Sequence, residues 1–168
     1  SYDARSKDEI RNIHQSVVEQ CKQLRSALSK AEPFEICIGD TPCCSVATTY
    51  DGIDAISPGN FVFYDLMQAQ IGSCKVSDIA VAMACPVVDK YPQRKQLAIH
   101  GGAVHFSKES MSRGPYAHFG LIADRENGCW NVPDEPSYLT RLSQEHGMIQ
   151  CSAKDFEQYQ IGDILHIL

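Results

Sequence analysis

The sequence predicts an α+β chain. A helix–strand–turn piece of α/β architecture occupies residues 1–50, and a mainly antiparallel β-domain occupies 51–168. Two observations predict this. Before Pro33, the residues Ile10, Ile13, Val17, Cys21, Leu24 and Leu28 recur three or four apart, the spacing of one apolar helix face. After about residue 50, short apolar runs alternate with Gly, Pro, Asn and Asp clusters, the texture of a sandwich or barrel.

In chain order, the first element is a helix over 6–30, opened by Ser6 and Glu9 as an S-x-x-E capping box. A strand follows over 34–38, where Phe34, Ile36 and Ile38 alternate with polar neighbours. It stops at Gly39. Thr41 suits an N-cap and Pro42 the first helical position. A strand, a glycine turn and a helix N-terminus together gather backbone N–H groups on one side, a geometry that attracts phosphate. Beyond the boundary, strands are expected over 61–64, 79–85, 97–100, 118–124, 148–151 and 163–167. Turn residues punctuate them at 57–60, 91–92, 101–102, 113–115 and 126–128. Gly101 and Gly102 point to backbone crowding or a positive φ.

Composition narrows the function. The chain has 168 residues and a net charge of −6, with no extended basic run, which argues against a nucleic-acid partner. The longest apolar candidate for a membrane span, Ile79–Val88, contains Pro86 and is about half the ~20 residues needed. The N-terminal SYDARSKDEIR is too polar for a secretory leader. The eight cysteines include no C-x₂-C pair, so neither a zinc knuckle nor a redox motif is indicated. Cys37 and Cys85 read as small buried hydrophobes in strands. Cys43 and Cys44 are poorly placed to bridge each other, and the set reads as reduced, in a cytoplasmic protein.

Six segments recur in order: SYDAR, IGDTPCCS, PGNFVFYDLMQ (58–68), GSCKVSDIAVAM (72–83), GGAVHFSKE (101–109) and QEHGMIQC (144–151). With them the chain resembles the D-serine dehydratase and D-threonine aldolase-like family, pyridoxal-phosphate enzymes built like alanine racemase. That resemblance covers nearly the whole chain. It implies that residues 1–50 are the last elements of a TIM-type cofactor-binding α/β barrel. It further implies that 51–168 are a C-terminal β-domain facing the partner subunit of a homodimer.

A complete barrel takes ~250 residues. By the resemblance, then, the Schiff-base lysine is expected upstream of Ser1, and the rest of the barrel belongs to a longer or companion chain. The divalent metal, zinc or manganese, is expected on a histidine and a cysteine or aspartate just beyond Leu168. No catalytic residue and no metal ligand is therefore expected within 1–168. The implied reaction is that of a lyase on a small D-3-hydroxy amino acid, with dehydratase, aldolase and racemase outcomes left open. A non-catalytic β-rich binding or assembly module is the alternative.

Site expectations follow from the same match. Gly39, Asp40 and Thr41 correspond to the family's phosphate turn, although a carboxylate at Asp40 repels a phosphate dianion. Tyr2 corresponds to a cofactor-lining tyrosine. Tyr64 and Asp65, at the end of the 61–64 strand, are candidates to orient the site from its rim, as are His105, Glu145 and His146. His100 and His105, five apart, suggest a metal only weakly. Pairing Cys151 with His146 or His166 as a zinc site is not required by any spacing. Trp130 is expected as a hydrophobic anchor of the β-domain.

Overall fold

The computed structural model describes residues 1–30, 33–107, 109–112 and 115–168. Lys108 of the GGAVHFSKE segment and the turn residues Arg113 and Gly114 lie outside the described residues. The chain forms two compact units, Ser1–Asp78 and Ile79–Leu168.

The first unit opens with α1 (Lys7–Ala27). Ser6 caps it: its hydroxyl accepts from Glu9 N at 3.2 Å, and the Glu9 carboxylate reaches back to Arg5 N at 2.8 Å. The buried face is Ile10, His14, Val18 and Cys21. It is rotated from the expected stripe: Leu24 and Leu28 are exposed, and Ile13 packs only at the edge. The face is set by what it meets, namely Cys43, Val46 and Ile71 around Ala4 and Ile10.

The expected strand over 34–38 shortens to β1 (Cys37–Ile38), which pairs in parallel with β2 (Ala55–Ile56). Cys37 is exposed rather than buried, and its thiol lies 3.3 Å from Ser57 Oγ. Between them stands α2 (Thr41–Val46). Its N-cap is Asp40, not Thr41, and Pro42 moves one place inward. The Asp40 carboxylate reaches Cys43 N, and this takes the capping role from a Thr whose hydroxyl is used elsewhere.

The segment 61–64 is a turn, not a strand. Tyr64 N donates to Asn60 O at 2.9 Å, and Tyr64 takes φ +52°. Asp65 then caps α3 (Leu66–Ile71), accepting from Gln68 N at 2.8 Å. Gly72, at φ +86°, closes α3 in the left-handed conformation that glycine adopts without cost.

The second unit is a five-stranded antiparallel sheet built from β3 (Met83–Tyr91), β4 (Gln96–His100), β7 (Tyr138–Leu142), β8 (His146–Gln150) and β9 (Ile164–Ile167). Their order is β7-β8-β4-β3-β9. A hairpin of β5 (Asp124–Glu126) and β6 (Cys129–Asn131) stands apart, and α4 (Ala153–Gln158) follows β8. The expected strand over 79–85 starts later and runs through Pro86. Proline is tolerated there because β3 pairs with β9 up to Pro86 and with β4 from Val87.

The expected strand over 118–124 is instead an irregular seam. Phe119 N and Ile122 N donate to Leu139 O and Ser137 O on one side. Leu121 N and Ala123 N donate to Leu168 O and His166 O on the other. The seam joins the two sheet edges, so neither is left as an open ladder. Inside lie Leu97, Ile99, Leu139, Ile149 and Leu165, all with no solvent exposure. Leu97, Ile149 and Leu139 sit opposite one another across three strands. Burial alone raises the Cys85 thiol to about 11, and burial with Asp155 nearby raises Cys151 to about 12. These thiols act as apolar core groups rather than nucleophiles.

Candidate functional site

In the first unit, the turn between β1 and α2 joins several of the expected residues. Thr41 is fully buried, and its hydroxyl accepts from Asn60 N at 3.2 Å. Asn60 Nδ2 donates to Asp65 Oδ2 at 2.5 Å. Tyr64 OH donates to Ser45 Oγ at 3.1 Å, and Ser45 Oγ donates to Thr41 O at 2.7 Å. Thr41, Tyr64 and Asp65 thus belong to one polar lattice that fastens α2 to the turn before α3. Gly39 lies against the β2 strand end: a Cβ there would stand 3.2 Å from Ser57 O. Tyr2 sits on the N-terminal turn and is half exposed.

Asp40 dominates the electrostatics. Both carboxylate oxygens accept from Ser1 Oγ, at 2.5 and 2.6 Å, and Oδ1 also accepts from Cys43 N at 3.4 Å. Partial burial pushes this carboxyl up. The hydrogen bonds from Ser1 Oγ and Cys43 oppose it, and the group lies below the usual carboxylate range. The Asp40 carboxylate occupies the N-terminus of α2, and the Thr41 hydroxyl accepts from Asn60 N. A phosphate dianion at this turn would have to avoid that carboxylate and meet backbone N–H groups.

The second unit brings together residues that the sequence placed far apart. His100 and His146 face each other across β4 and β8, with ring centroids 5.6 Å apart. His105 closes on His100 at the same centroid distance, and its Nδ1 accepts from Gly102 N at 3.3 Å. The glycines explain the approach. A Cβ on Gly102 would lie 2.5 Å from the Glu145 carbonyl carbon, and one on Gly147 would lie 2.6 Å from Gly101 O. Gly101 and Gly102 therefore answer to crowding and not to positive φ. All three rings are exposed, as is Glu145. Among the described residues, no group of three or more His, Cys, Asp or Glu is arranged to hold a metal ion. Trp130 packs its ring on His166, at 5.2 Å between centroids.

Sequence reasoning missed His14. It is 3% exposed, its Nε2 donates to Thr49 O at 2.8 Å, and its ring meets the Tyr50 ring edge-on. Its Nδ1 is buried with no hydrogen-bond partner. The available signal was its position four residues from both Ile10 and Val18, on the face that α1 buries.

Comparison with known proteins adds a family. Residues 80–168 match the sequence model described as "Putative serine dehydratase domain". The chain is 31% identical over 160 residues to D-serine dehydratase of Dictyostelium discoideum, covering 88% of this chain and 38% of that enzyme. It is 25% identical over 117 residues to D-threo-3-hydroxyaspartate dehydratase of Delftia sp., covering 68% of this chain and 30% of that enzyme. The solved structure of the Delftia enzyme superposes with a TM-score of 0.83 at 22% identity, covering 99% of this chain and 45% of that one. An alanine racemase-like protein of Idiomarina loihiensis superposes equally well, with a TM-score of 0.83, 21% identity and 99% and 45% coverage. The chain thus shares an alanine racemase-like fold and spans less than half the length of these relatives. No helix among the described residues is long and apolar enough to cross a membrane.

Proposed function

The chain belongs to the family described as "Putative serine dehydratase domain", and from that premise we propose that it is the C-terminal portion of a pyridoxal-phosphate-dependent lyase of dehydratase type. The observation that carries this reading is the identity with D-serine dehydratase, which extends over 160 residues and through both units. The proposed substrate is a small D-3-hydroxy amino acid, and the proposed assembly is a homodimer with the β-domain facing its partner's barrel. Parallel pairing of β1 with β2 (Ala55–Ile56) around α2 is the pairing an α/β barrel uses, and it carries barrel character a few residues past the proposed 1–50 segment.

Pyridoxal phosphate, when bound, supplies an electron sink for the substrate Cα. Gly39, Asp40 and Thr41 are the proposed neighbours of its phosphate, through backbone N–H groups only. The Asp40 carboxylate opposes that role in its present place, so no step of the reaction is assigned to the turn. The lattice of Asn60, Tyr64 and Asp65 is proposed to hold the turn rigid, with Tyr2 at its edge. His105, Glu145 and His146 are proposed to shape the β-domain rim. The nucleophilic lysine and the ligands of the zinc or manganese ion are proposed to lie outside residues 1–168.

The test uses the whole protein that contains this chain, supplied with pyridoxal phosphate and a divalent metal. Ammonia released from D-serine or D-threo-3-hydroxyaspartate supports a dehydratase. Glycine released from D-threonine moves the reading to an aldolase, and no turnover of any of the three overturns it. One observation favours the second reading, a binding or assembly module: residues 79–168 own a closed sheet and a separate core. That reading expects this unit to fold alone and to bind no pyridoxal phosphate.

A further inference from the structure

Asn127 and Gly128 form the tip of the β5–β6 hairpin. Both are exposed, at φ +50° and +85°, the positive values that a two-residue hairpin turn requires. The cross-strand pairs are Asp124 with Asn131, Arg125 with Trp130 and Glu126 with Cys129. The ladder therefore ends at Glu126 and Cys129, and the N–H of Gly128 lies outside it. A Cβ placed on Gly128 would meet nothing within 4 Å, so the space beside that amide is open.

The Asn127 side chain carries a primary amide, whose carbon Cγ is an electrophile. The backbone nitrogen of the next residue reaches that carbon by closing a five-membered ring. A side chain on the next residue obstructs the approach, and glycine has none. The sequence contains four asparagines, Asn12, Asn60, Asn127 and Asn131, followed by Ile13, Phe61, Gly128 and Val132. Asn12 stands inside α1, where helical hydrogen bonding fixes the following amide. Asn60 gives its Nδ2 hydrogen to Asp65. Asn131 precedes a β-branched side chain, which is stiff and crowds the nitrogen. Asn127 alone combines a glycine neighbour with an exposed turn. A two-stranded ribbon is marginal by itself, and this one has three pairs, so its tip opens locally into the conformations that allow ring closure.

We propose that Asn127 is a site of spontaneous deamidation that loosens the β5–β6 hairpin. Gly128 N bonds to Asn127 Cγ and gives up its proton, the Cγ–Nδ2 bond breaks, and ammonia leaves. Water then opens the cyclic imide. Cleavage of the new Cγ–N bond leaves aspartate. Cleavage of the original backbone C–N bond leaves isoaspartate, with the chain running through Cβ and Cγ. Either product adds a negative charge to a hairpin that already holds Asp124 and Glu126. Isoaspartate also inserts a methylene into the turn, which breaks the geometry that sets Glu126 opposite Cys129. Trp130, on the strand that follows, packs on His166, so the loosening is read at the indole. The inference does not rest on the dehydratase reading.

The test incubates the whole protein that contains this chain in warm, mildly alkaline buffer. Its tryptic segment 126–141, which holds both Asn127 and Asn131, is then followed by mass spectrometry with fragmentation. A progressive gain equal to the exchange of NH₂ for OH is expected at Asn127 and not at Asn131, as two products separable by chromatography. Trp130 emission should shift to the red in step with it. Asn127→Gln, which would need a larger ring, should abolish the gain. Gly128→Ala should slow it several-fold in urea, where the left-handed backbone of the folded turn no longer matters. Four results would overturn the proposal: no gain in the folded protein, a reaction that proceeds only in urea, a gain at Asn131 instead, or deamidation with Trp130 emission unmoved. None of them bears on turnover by the whole enzyme.

Discussion

The two units are held together by different physics. Among the described residues, the second unit buries eleven in one apolar cluster that runs across the sheet and its closing seam. The first has a cluster of five among its described residues. Its short helices are instead fixed by side-chain caps, with Ser6 on α1, Asp40 on α2 and Asp65 on α3. Burial of apolar surface is worth about 25 cal/mol per Å² and involves no ionisable group, so it does not titrate. Caps contribute about 1 kcal/mol each, and those made by Asp40 and Asp65 depend on ionisation. The difference teaches that the β-domain is the stable body, and that the family's conspicuous turn sits in the part most easily perturbed.

The chain offers separate probes for each unit. Its single tryptophan, Trp130, reports on the second unit. Far-UV dichroism at the helical band reports mainly on α1. The largest expected effect is Leu139→Ala, at the centre of the sheet, which should lower stability by about 3 kcal/mol. It should shift the tryptophan-detected urea transition and leave the helical signal unmoved. A joint shift of both transitions would show the units to be one cooperative body and break the comparison.

Gly102→Ala comes next. Its new Cβ would meet backbone, not a flexible side-chain tip, so a loss of about 2 kcal/mol is expected in the same transition. Gly59→Ala, with open space around it, should move neither probe. Asp65→Ala removes the α3 cap and should cost about 1 kcal/mol, read in the first unit's transition alone.

Acid should separate the units further. The folded-state pKa of Asp40 lies below its ordinary value of 3.8. Its stabilisation is therefore fully present above about pH 4 and is lost as pH falls through the lowered folded value. The helical signal should weaken in that acidic window while Trp130 emission holds. Asp40→Asn should reduce the pH dependence of the first unit there, leaving the share carried by Asp54, whose carboxyl is held low by Ile36 N and Arg25. The smallest effect is expected from Val62→Ser. That side chain is 76% exposed, so the change should stay within about 0.5 kcal/mol by either probe.

How much was legible in the sequence varied by element. The helix 6–30 was, because a capping box and a long apolar period agree. Its buried face was not, because Leu24 and Leu28 fit the period as well as His14 does, and only the packing of Cys43 and Ile71 decides between them. The strands at 97–100 and 148–151 were legible because each is half-buried and bounded by turns. The run 61–64 misled, since Phe61, Val62, Phe63 and Tyr64 carry strand propensity but have no partner strand. The D-x-x-Q of Asp65 and Gln68 was the overlooked helix signal. For the candidate site, the family motif was readable, but not the use of the Thr41 hydroxyl by Asn60, which comes from 19 residues away.

What the sequence determined by itself is local: where α1 starts, where Gly and Pro interrupt, which runs are apolar, and which family's segments recur. Those properties depend on neighbours within one or two turns of chain. Tertiary structure alone decided that residues 118–123 close the sheet and that His100, His105 and His146 share one place. It also put Asp40's carboxylate on the N-terminus that a phosphate was expected to occupy, and left His14 Nδ1 buried without a donor. Each of these depends on groups brought together from distant parts of the chain, where burial and electrostatics select the partner and sequence spacing carries no signal.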